Sequence, residues 1–568
     1  MIASELKRVI SALESPLILE SSVIDDTVYG LKLKGENREW NISLIFPELF
    51  PHTLPKAKLL DTDKIGSIPH VNQSGVICVE ESDSILLDSS RPKDIIDHFI
   101  NDTVKLLDKA NLKIYQDELM DEIEGYFNFD NKVNSFYVAT DKTESVRLKL
   151  QRLCNKALQV KPILLVGRDT TLNMEFSNNS KTLRASEQKI IHLALDNPVL
   201  PPANQGAITP AYFDKLKRNV SNIGLADFKA LSKKYTKTKG RYFFILLSMP
   251  RASNERAQIL LHFSSKEPLL FPSENTDERW DITPYAITRL NKQYLLERGG
   301  ADRDLTSKKV CIIGCGSVGS EIAAMLAKSG IGELVLVDYD SFDADNIYRH
   351  RLGGKALNFQ ADLKTGKISH YSKVSALALS LQSDLPYIKV KQKAVAFDSV
   401  TNDADFLSSD IVVVAVGSPS LNLHINKKLK DLNFKAAIFC WNEASGYGGH
   451  SVALALEDIC LECIYTNEYG FSMDHGLSLV TPGQEISKNL TGCAGVFTPF
   501  SYLDSSQTAA IAAKQCINML SGKTRSNSMS WKGEDRYGLK VTDRFNTMPL
   551  KEEIDLIKAK KCRVCNEG

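Results

Sequence analysis

Apolar and polar positions divide the chain into three regions. Near the start, SELKRVISALE has helical spacing, and YGLKLKG and REWNISLIF alternate around an EN turn, which predicts a β-hairpin. FPELFPHTLP is extended but punctuated by proline, so it cannot continue a central strand. RPKDIIDHFINDTVKLLDKA predicts an amphipathic helix with Pro92 near its start. Together these make residues 1–112 a compact α/β unit. Over residues 113–285 the pattern is mixed: KPILLVG and RYFFILLSM predict strands, NPVLPPANQGAITP is a proline-rich loop, and no chemical motif stands out. This region reads as a connecting domain. From residue 286 the pattern changes again. KKVCIIGCGSVGSEIAAMLAKSGIGELVLVDYD predicts a buried strand, a glycine turn, a helix and a second buried strand, and SDIVVVAVG predicts another buried strand. The fold class is therefore multidomain α/β, with a Rossmann-like C-terminal domain and no internal repeat.

Composition narrows the function classes. A chain of 568 residues has room for several domains, and a formal net charge of +1 gives no field suited to nucleic acid or an anionic membrane. Glu5, Lys7, Arg8 and Glu14 interrupt the first apolar residues, which argues against a signal peptide, and no apolar run is long enough for a membrane span. The 11 cysteines are odd in number and thinly spread. They suit a reducing cytoplasm, with thiols used for metal or catalysis rather than for disulfides.

Three stretches carry chemistry. GCGSVG sets Gly314, Gly316 and Gly319 in a GxGxxG spacing that lets backbone approach a phosphate at a helix start, and Asp338 ends the following strand. Alone, this pattern also suits nicotinamide or flavin enzymes, or a simple tight turn. The pairs Cys460/Cys463 and Cys562/Cys565 are two CxxC motifs whose four thiolates suit a closed, structural Zn²⁺ site; the alternative is four unrelated thiols, or a site that has lost its metal. IPHVNQSGVICVEE places His70, Asn72 and Cys78 close together, and is either a buried cysteine after a turn or a nucleophile beside an oxyanion donor.

The segment VDYDSFDADNIYRHRLG decides how the glycine loop is read, because it resembles the ThiF and MoeB relatives of ubiquitin-activating enzymes. The resemblance implies that Asp338, Asp340, Asn346 and Arg349 bind ATP, with Arg349 near the phosphates, and that Lys373 in YSKVSALALSL joins them. MoeB-type domains also carry paired CxxC motifs, which supports zinc. NLTGCAGVFTPF resembles the mobile segment that holds a catalytic cysteine, here Cys493. Cys311, Cys315, Cys440 and Cys516 read as core. There are departures from the pattern: Ser418 stands where relatives place a magnesium-binding Asp, and His350 where they usually have Gln. Arg289, Lys292 and Arg298 are candidates for the arginine that such enzymes donate to a dimer partner.

IFPELFPHTLP and HVNQSGVICV in turn resemble the FPxxYP and HPN segments of ubiquitin-conjugating enzymes, with Val71 replacing proline. This implies that Cys78 carries a thioester, that Asn72 steadies the oxyanion, and that His70 is structural. Conjugating-like, connecting and activating domains in this order (residues 1–112, 113–285 and 286–568) resemble the fused ubiquitin-transferase-like family of CBASS antiphage operons. That family implies a cytoplasmic homodimer using ATP, Mg²⁺ and Zn²⁺. It would activate the C-terminal carboxylate of a cGAS-like nucleotidyltransferase and conjugate it to acceptor proteins. An adenylyltransferase for a sulfur carrier and a non-catalytic scaffold remain as rivals. The first leaves HVNQSGVIC without a task, and Ser418 is the feature that favours the second.

Overall fold

The computed structural model describes residues 3–61, 68–79, 85–112, 116–126, 131–137, 146–155, 163–167, 183–202, 208–236, 239–251, 256–357, 359–361, 368–385, 387–490, 496–535 and 537–566. The chain divides into two compact units, Met1–Asn291 and Lys292–Gly568.

The first unit opens with an antiparallel meander of five strands: β1 (Ile18–Val23), β2 (Val28–Lys34), β3 (Glu39–Ile45), β4 (Lys56–Leu59) and β5 (Val76–Ile77). Alternation works as expected in β2, where Tyr29, Leu31 and Leu33 face inward, and β2 pairs with β3 through the foreseen hairpin. The helices Ala3–Ser11 and Pro92–Ala110 cover the same face, packing Leu6, Ile100 and Leu107 against Leu33, Trp40 and Leu44. Trp40 is fully buried, and its indole N–H donates to Asp108 Oδ1 at 2.8 Å. Strand β1 gives no alternating signal because it is an exposed edge.

The connecting region is a closed barrel. Its strands are β6 (Lys132–Ser135), β7 (Val146–Asn155), β8 (Ile163–Gly167), β9 (Leu183–Ala194), β10 (Gly240–Pro250), β11 (Arg256–Leu269) and β12 (Asp281–Arg289). They close in the order β10-β11-β12-β6-β8-β7-β9. Val133, Leu148, Leu164, Ile190, Leu246 and Leu260, from six strands, fill one side. The intervening residues, such as Ile245, Leu247 and Leu261, pack with Phe213 and Phe228 of the helices Pro210–Lys217 and Asn222–Thr236. KPILLVG and RYFFILLSM are strands as expected, but their pairing into a barrel is long-range.

The second unit is built on an eight-stranded sheet. Five parallel strands come first, in the order Lys389–Lys393, Glu333–Val337, Lys309–Ile313, Ile411–Val414 and Ala436–Asn442. Gly448–Ala455, Asn527–Lys532 and Lys551–Asp555 continue it antiparallel. The central strands are apolar on both faces. Val310 and Ile312 pack with the helices Ser317–Lys328, Lys373–Asp384 and Tyr502–Leu520, while Cys311 and Ile313 pack with the helix Pro419–Asp431. The βαβ unit read from the glycine turn is present, with its two strands parallel.

Candidate functional site

Steric demand explains the glycine turn. Gly314 has φ +85°, and a Cβ there would lie 2.8 Å from the Ala415 carbonyl oxygen. A Cβ on Gly319 would fall 1.8 Å from the Gly314 carbonyl oxygen, so helix and turn can touch only with glycine. Gly316 meets nothing within 4 Å; it caps the helix Ser317–Lys328 without a side-chain hydrogen bond. The first N–H groups of that helix therefore open into space, an arrangement that favours an anion. They border a cavity of about 550 Å³ that also takes in Arg349, Trp441, Glu443 and His475.

Around this turn the predicted residues fall into place as follows. Asp338 Oδ2 accepts from the Cys315 N–H at 2.7 Å, and its Oδ1 accepts from the Asp340 N–H at 2.8 Å. Lys373, mostly buried, pairs with Asp340 at 2.7 Å. Asn346 folds back to accept from the Asp343 N–H at 3.2 Å, shaping the turn that carries Arg349. The Arg349 guanidinium sits 5.9 Å from the Phe500 ring, and no described acid pairs with it, so its charge faces the cavity uncompensated.

His350 supports the turn from beneath. Its Nε2 donates to the Cys315 carbonyl oxygen at 2.8 Å, and its Nδ1 accepts from the Leu352 N–H at 3.0 Å. Burial lowers its pKa to about 4, so the ring is neutral. Ser418 caps the helix Pro419–Asp431, accepting from the Leu421 N–H, which gives it a structural task. Arg289 is held by Glu124 at 2.8 Å in the first unit and is only 11% exposed, which argues against it as a donated arginine.

Sequence reading assigned no role to Glu443 and His475, which line the cavity, or to the fully buried His450 behind them. His450 Nε2 donates to Glu443 Oε1 at 2.9 Å, and His450 Nδ1 lies 2.8 Å from Ser530 Oγ. Burial pushes the Glu443 carboxyl up, but the His450 hydrogen bond, the nearby imidazoles and the Leu479 N–H outweigh it and hold it low. His475 packs edge-on against Trp441, and burial beside His450 lowers its pKa to about 4. Glu443 and His450 lie close together in the stretch WNEASGYGGH, but His475 arrives from a distant loop.

The four CxxC cysteines converge. Cys460 and Cys562 sulfurs are 3.5 Å apart, Cys463 and Cys565 are 3.8 Å apart, and all four lie within 4.8 Å. Four sulfurs around a tetrahedral Zn²⁺ at 2.3 Å would be separated by about 3.8 Å, so the donor set fits the ion. Cys463 is favoured as a thiolate by the hydrogen bond from Cys460, whose own pKa rises. Lys430 Nζ stands 3.8 Å from Cys565 Sγ, a cation beside the cluster. By contrast Cys311, Cys315, Cys440 and Cys516 are buried and shifted upward by burial, as expected for core thiols. Cys493 lies outside the described residues.

In the first unit, IPHVNQSGVIC is a tight hairpin. Val71 bridges Ile77, the Asn72 N–H donates to the Val76 carbonyl, and the Cys78 N–H donates to the His70 carbonyl at 2.8 Å. Asn72 Oδ1 pins the turn by accepting from the Ser74 N–H, the Ser74 hydroxyl and the Val76 N–H at 3.0, 2.8 and 2.9 Å. Gly75 supplies the φ of +84° that the turn requires. The hairpin returns the chain to place Cys78 exposed beside His70. The dull alternative of a buried strand cysteine does not hold.

Comparison with known proteins agrees with both halves. Residues 290–552 match the ThiF family model, and residues 25–136 match the model of prokaryotic E2 family B. The chain joins an E2-like domain to a ThiF domain. The second CxxC pair lies beyond the ThiF match. ATP-dependent ubiquitin transferase-like protein Cap2 of Pseudomonas aeruginosa is 25% identical over 42% of this chain and 41% of its own length. The Vibrio cholerae protein of that name is 27% identical over 41% and 39%. The chain thus spans about two fifths of the length of these curated relatives. Bovine adenylyltransferase and sulfurtransferase MOCS3 is 35% identical over 20% of the chain and 24% of its own. Among solved structures, E. coli MccB with ATP aligns over 48% of this chain and 69% of its own at 20% identity and a TM-score of 0.32. Among the described residues, no helix is long and apolar enough to cross a membrane.

Proposed function

We propose that this chain activates a protein's C-terminal carboxylate with ATP and passes the acyl group to an amine through two cysteines. One observation carries the reading: an uncapped helix start and an uncompensated Arg349 border one cavity of a ThiF domain, in a chain that also presents Cys78 on an E2-like hairpin. Residues 1–112 act as the conjugating part, 113–285 connect, and 286–568 adenylate. The donor carboxylate attacks the α-phosphorus of ATP, and pyrophosphate leaves. The Ser317–Lys328 helix start and Arg349 stabilise the charge that develops on phosphate. Gly314, Gly316 and Gly319 let the backbone approach, while Asp338, Asn346 and the Asp340–Lys373 pair fix the surrounding loop and nucleotide. Mg²⁺ would neutralise phosphate charge when bound, and Asp340 is the acid of this loop that would help hold it. Zn²⁺ in the four-cysteine cluster is structural, held by Cys460, Cys463, Cys562 and Cys565.

Cys493 sulfur then attacks the acyl carbon and AMP leaves. Exchange moves the acyl group to Cys78, and the amine of an acceptor lysine attacks it, losing a proton as the Cys78 thiolate leaves. Because Asn72 Oδ1 is committed to the hairpin, its amide N–H₂ is the group left to donate to the oxyanion. The order of domains and the likeness to Cap2 favour a cytoplasmic homodimer whose donor is a cGAS-like nucleotidyltransferase, in antiphage defence. The MOCS3 match supports a sulfur-carrier adenylyltransferase as second reading, but that chemistry gives Cys78 no task.

The test is exchange of labelled pyrophosphate into ATP in the presence of the donor. Arg349→Ala is expected to reduce it by at least ~100-fold, the scale of a lost transition-state charge contact. Full exchange in that variant would remove Arg349 from the site.

A further inference from the structure

The Cys78 hairpin does not hold itself. A helical segment beyond the covering helix, Gln116–Asp121 followed by Ile123–Tyr126, braces it at three points. Glu122 takes His70 with both oxygens: Oε2 accepts from the His70 backbone N–H at 2.8 Å, and Oε1 lies 2.8 Å from Nδ1. Glu118 Oε2 lies 3.4 Å from Nε2 of the same ring. The Gln73 N–H donates to the Tyr126 carbonyl at 2.6 Å. His70 needs this support because it adopts φ +62°, a left-handed conformation that costs a non-glycine residue about 1 kcal/mol or more. That conformation turns the His70 carbonyl to accept from the Cys78 N–H, so the brace acts one bond from the reactive residue.

The other side of the segment is fastened to the barrel. Glu124 Oε2 meets Arg251 at 2.5 Å, and Oε1 meets both Arg289 at 2.8 Å and the Gln258 N–H at 2.5 Å. Tyr126 donates its hydroxyl to the Pro202 carbonyl at 3.1 Å. Glu124 is 23% exposed and Arg289 11%, so this cluster is shielded enough for the loss of one partner to matter. Glu122 and Glu124 project in opposite senses from one short turn, one toward the hairpin and one toward β11 and β12.

We propose that Glu122 is a positioning residue for the Cys78 acyl transfer, and that the barrel, through Glu124, Arg251 and Arg289, sets where it stands. The barrel is then a working part of the E2-like half rather than a spacer. This rests on the reading of Cys78 as an acyl carrier.

The experiment uses the full chain with two readouts. Hydrogen exchange at the His70 and Gln73 amides reads the brace without any donor. Discharge of Cys78 to free lysine, after loading with the purified cGAS-like nucleotidyltransferase and removal of ATP, reads transfer on a non-reducing gel. Glu122→Ala is expected to speed exchange at both amides and slow discharge about tenfold or more, as small misplacement does. Glu122→Gln, which keeps an oxygen acceptor, recovers most of the rate, and the pair Arg251→Ala with Arg289→Met falls between. Pyrophosphate exchange stays at the wild-type level in all of them. Unchanged amide exchange in Glu122→Ala overturns the brace. Discharge within twofold of wild type in both Glu122→Ala and the arginine pair overturns its role in transfer. If wild-type protein never loads Cys78, the acyl-carrier reading fails, and the exchange experiment still decides the brace.

Discussion

His350 shows how one substitution can be absorbed. A neutral imidazole donates from Nε2 to the Cys315 carbonyl and accepts at Nδ1 from the Leu352 N–H, tasks that a glutamine amide can also perform. The difference lies in titration. Burial lowers the folded pKa of His350 to about 4, while the unfolded ring has its ordinary value near 6.5. Between those values the unfolded chain binds the extra proton, so stability is full above about pH 6.5 and is lost as pH falls toward 4. For the second unit, His350 alone contributes a loss of roughly 2 kcal/mol between pH 7 and pH 5. Urea midpoints at the two pH values measure it, and His350→Gln should shrink the difference by about that amount. An unchanged difference would mean that His350 is protonated in the folded protein. Individual residues of this kind were partly legible in the sequence. Gly314 and Gly319 announce themselves because steric demand is local. Glu122 did not, although Glu118 and Glu122 stand four apart on a helical face, because their partner His70 lies far back in the chain. The same distance hid His475, which enters the cavity wall from a loop.

At the scale of elements, helices and buried strands followed their periods, and the βαβ unit is where the glycine turn put it. The barrel was not legible. Its closure depends on pairs such as Ala286 with Lys132, which no local pattern encodes. Edge strand β1 was missed because an exposed edge has no buried face to alternate with. The four-cysteine cluster is the reverse case. Its two halves lie about a hundred residues apart, yet the CxxC spacing marked each one, and the fold brings their sulfurs within 4.8 Å. It ties the short turn at Leu461–Tyr465 to the helix Arg563–Asn566 at the end of the chain. Purified protein should contain about one Zn²⁺ per chain. Cys460→Ser with Cys463→Ser should abolish the metal and lower the melting temperature of the second unit, because binding energy at such a site is folding energy. Metal analysis and calorimetry check this together. Metal-free protein of unchanged stability would leave the cluster as four thiols.

For the whole molecule, the question is why one chain carries both a ThiF domain and an E2-like hairpin. A relay answers it: an adenylate is hydrolysed if it waits, and each nucleophile divides a difficult transfer into easier steps. The alternatives predict less. A sulfur-carrier enzyme has no use for Cys78, and a scaffold forms no covalent adduct. The barrel connects the halves in sequence, and its brace on the His70 turn ties its integrity to the transfer step.

The most direct measurement is the pattern of covalent loading in cysteine variants, followed on non-reducing gels after incubation with ATP and the donor. Wild-type protein should form adducts that thiol reductant cleaves. Cys78→Ala should retain donor on Cys493 and transfer none to lysine. Cys493→Ala should still exchange pyrophosphate and carry donor on neither cysteine. Charging of Cys78 at the wild-type rate in Cys493→Ala would contradict the relay, because Cys78 would then attack the adenylate itself.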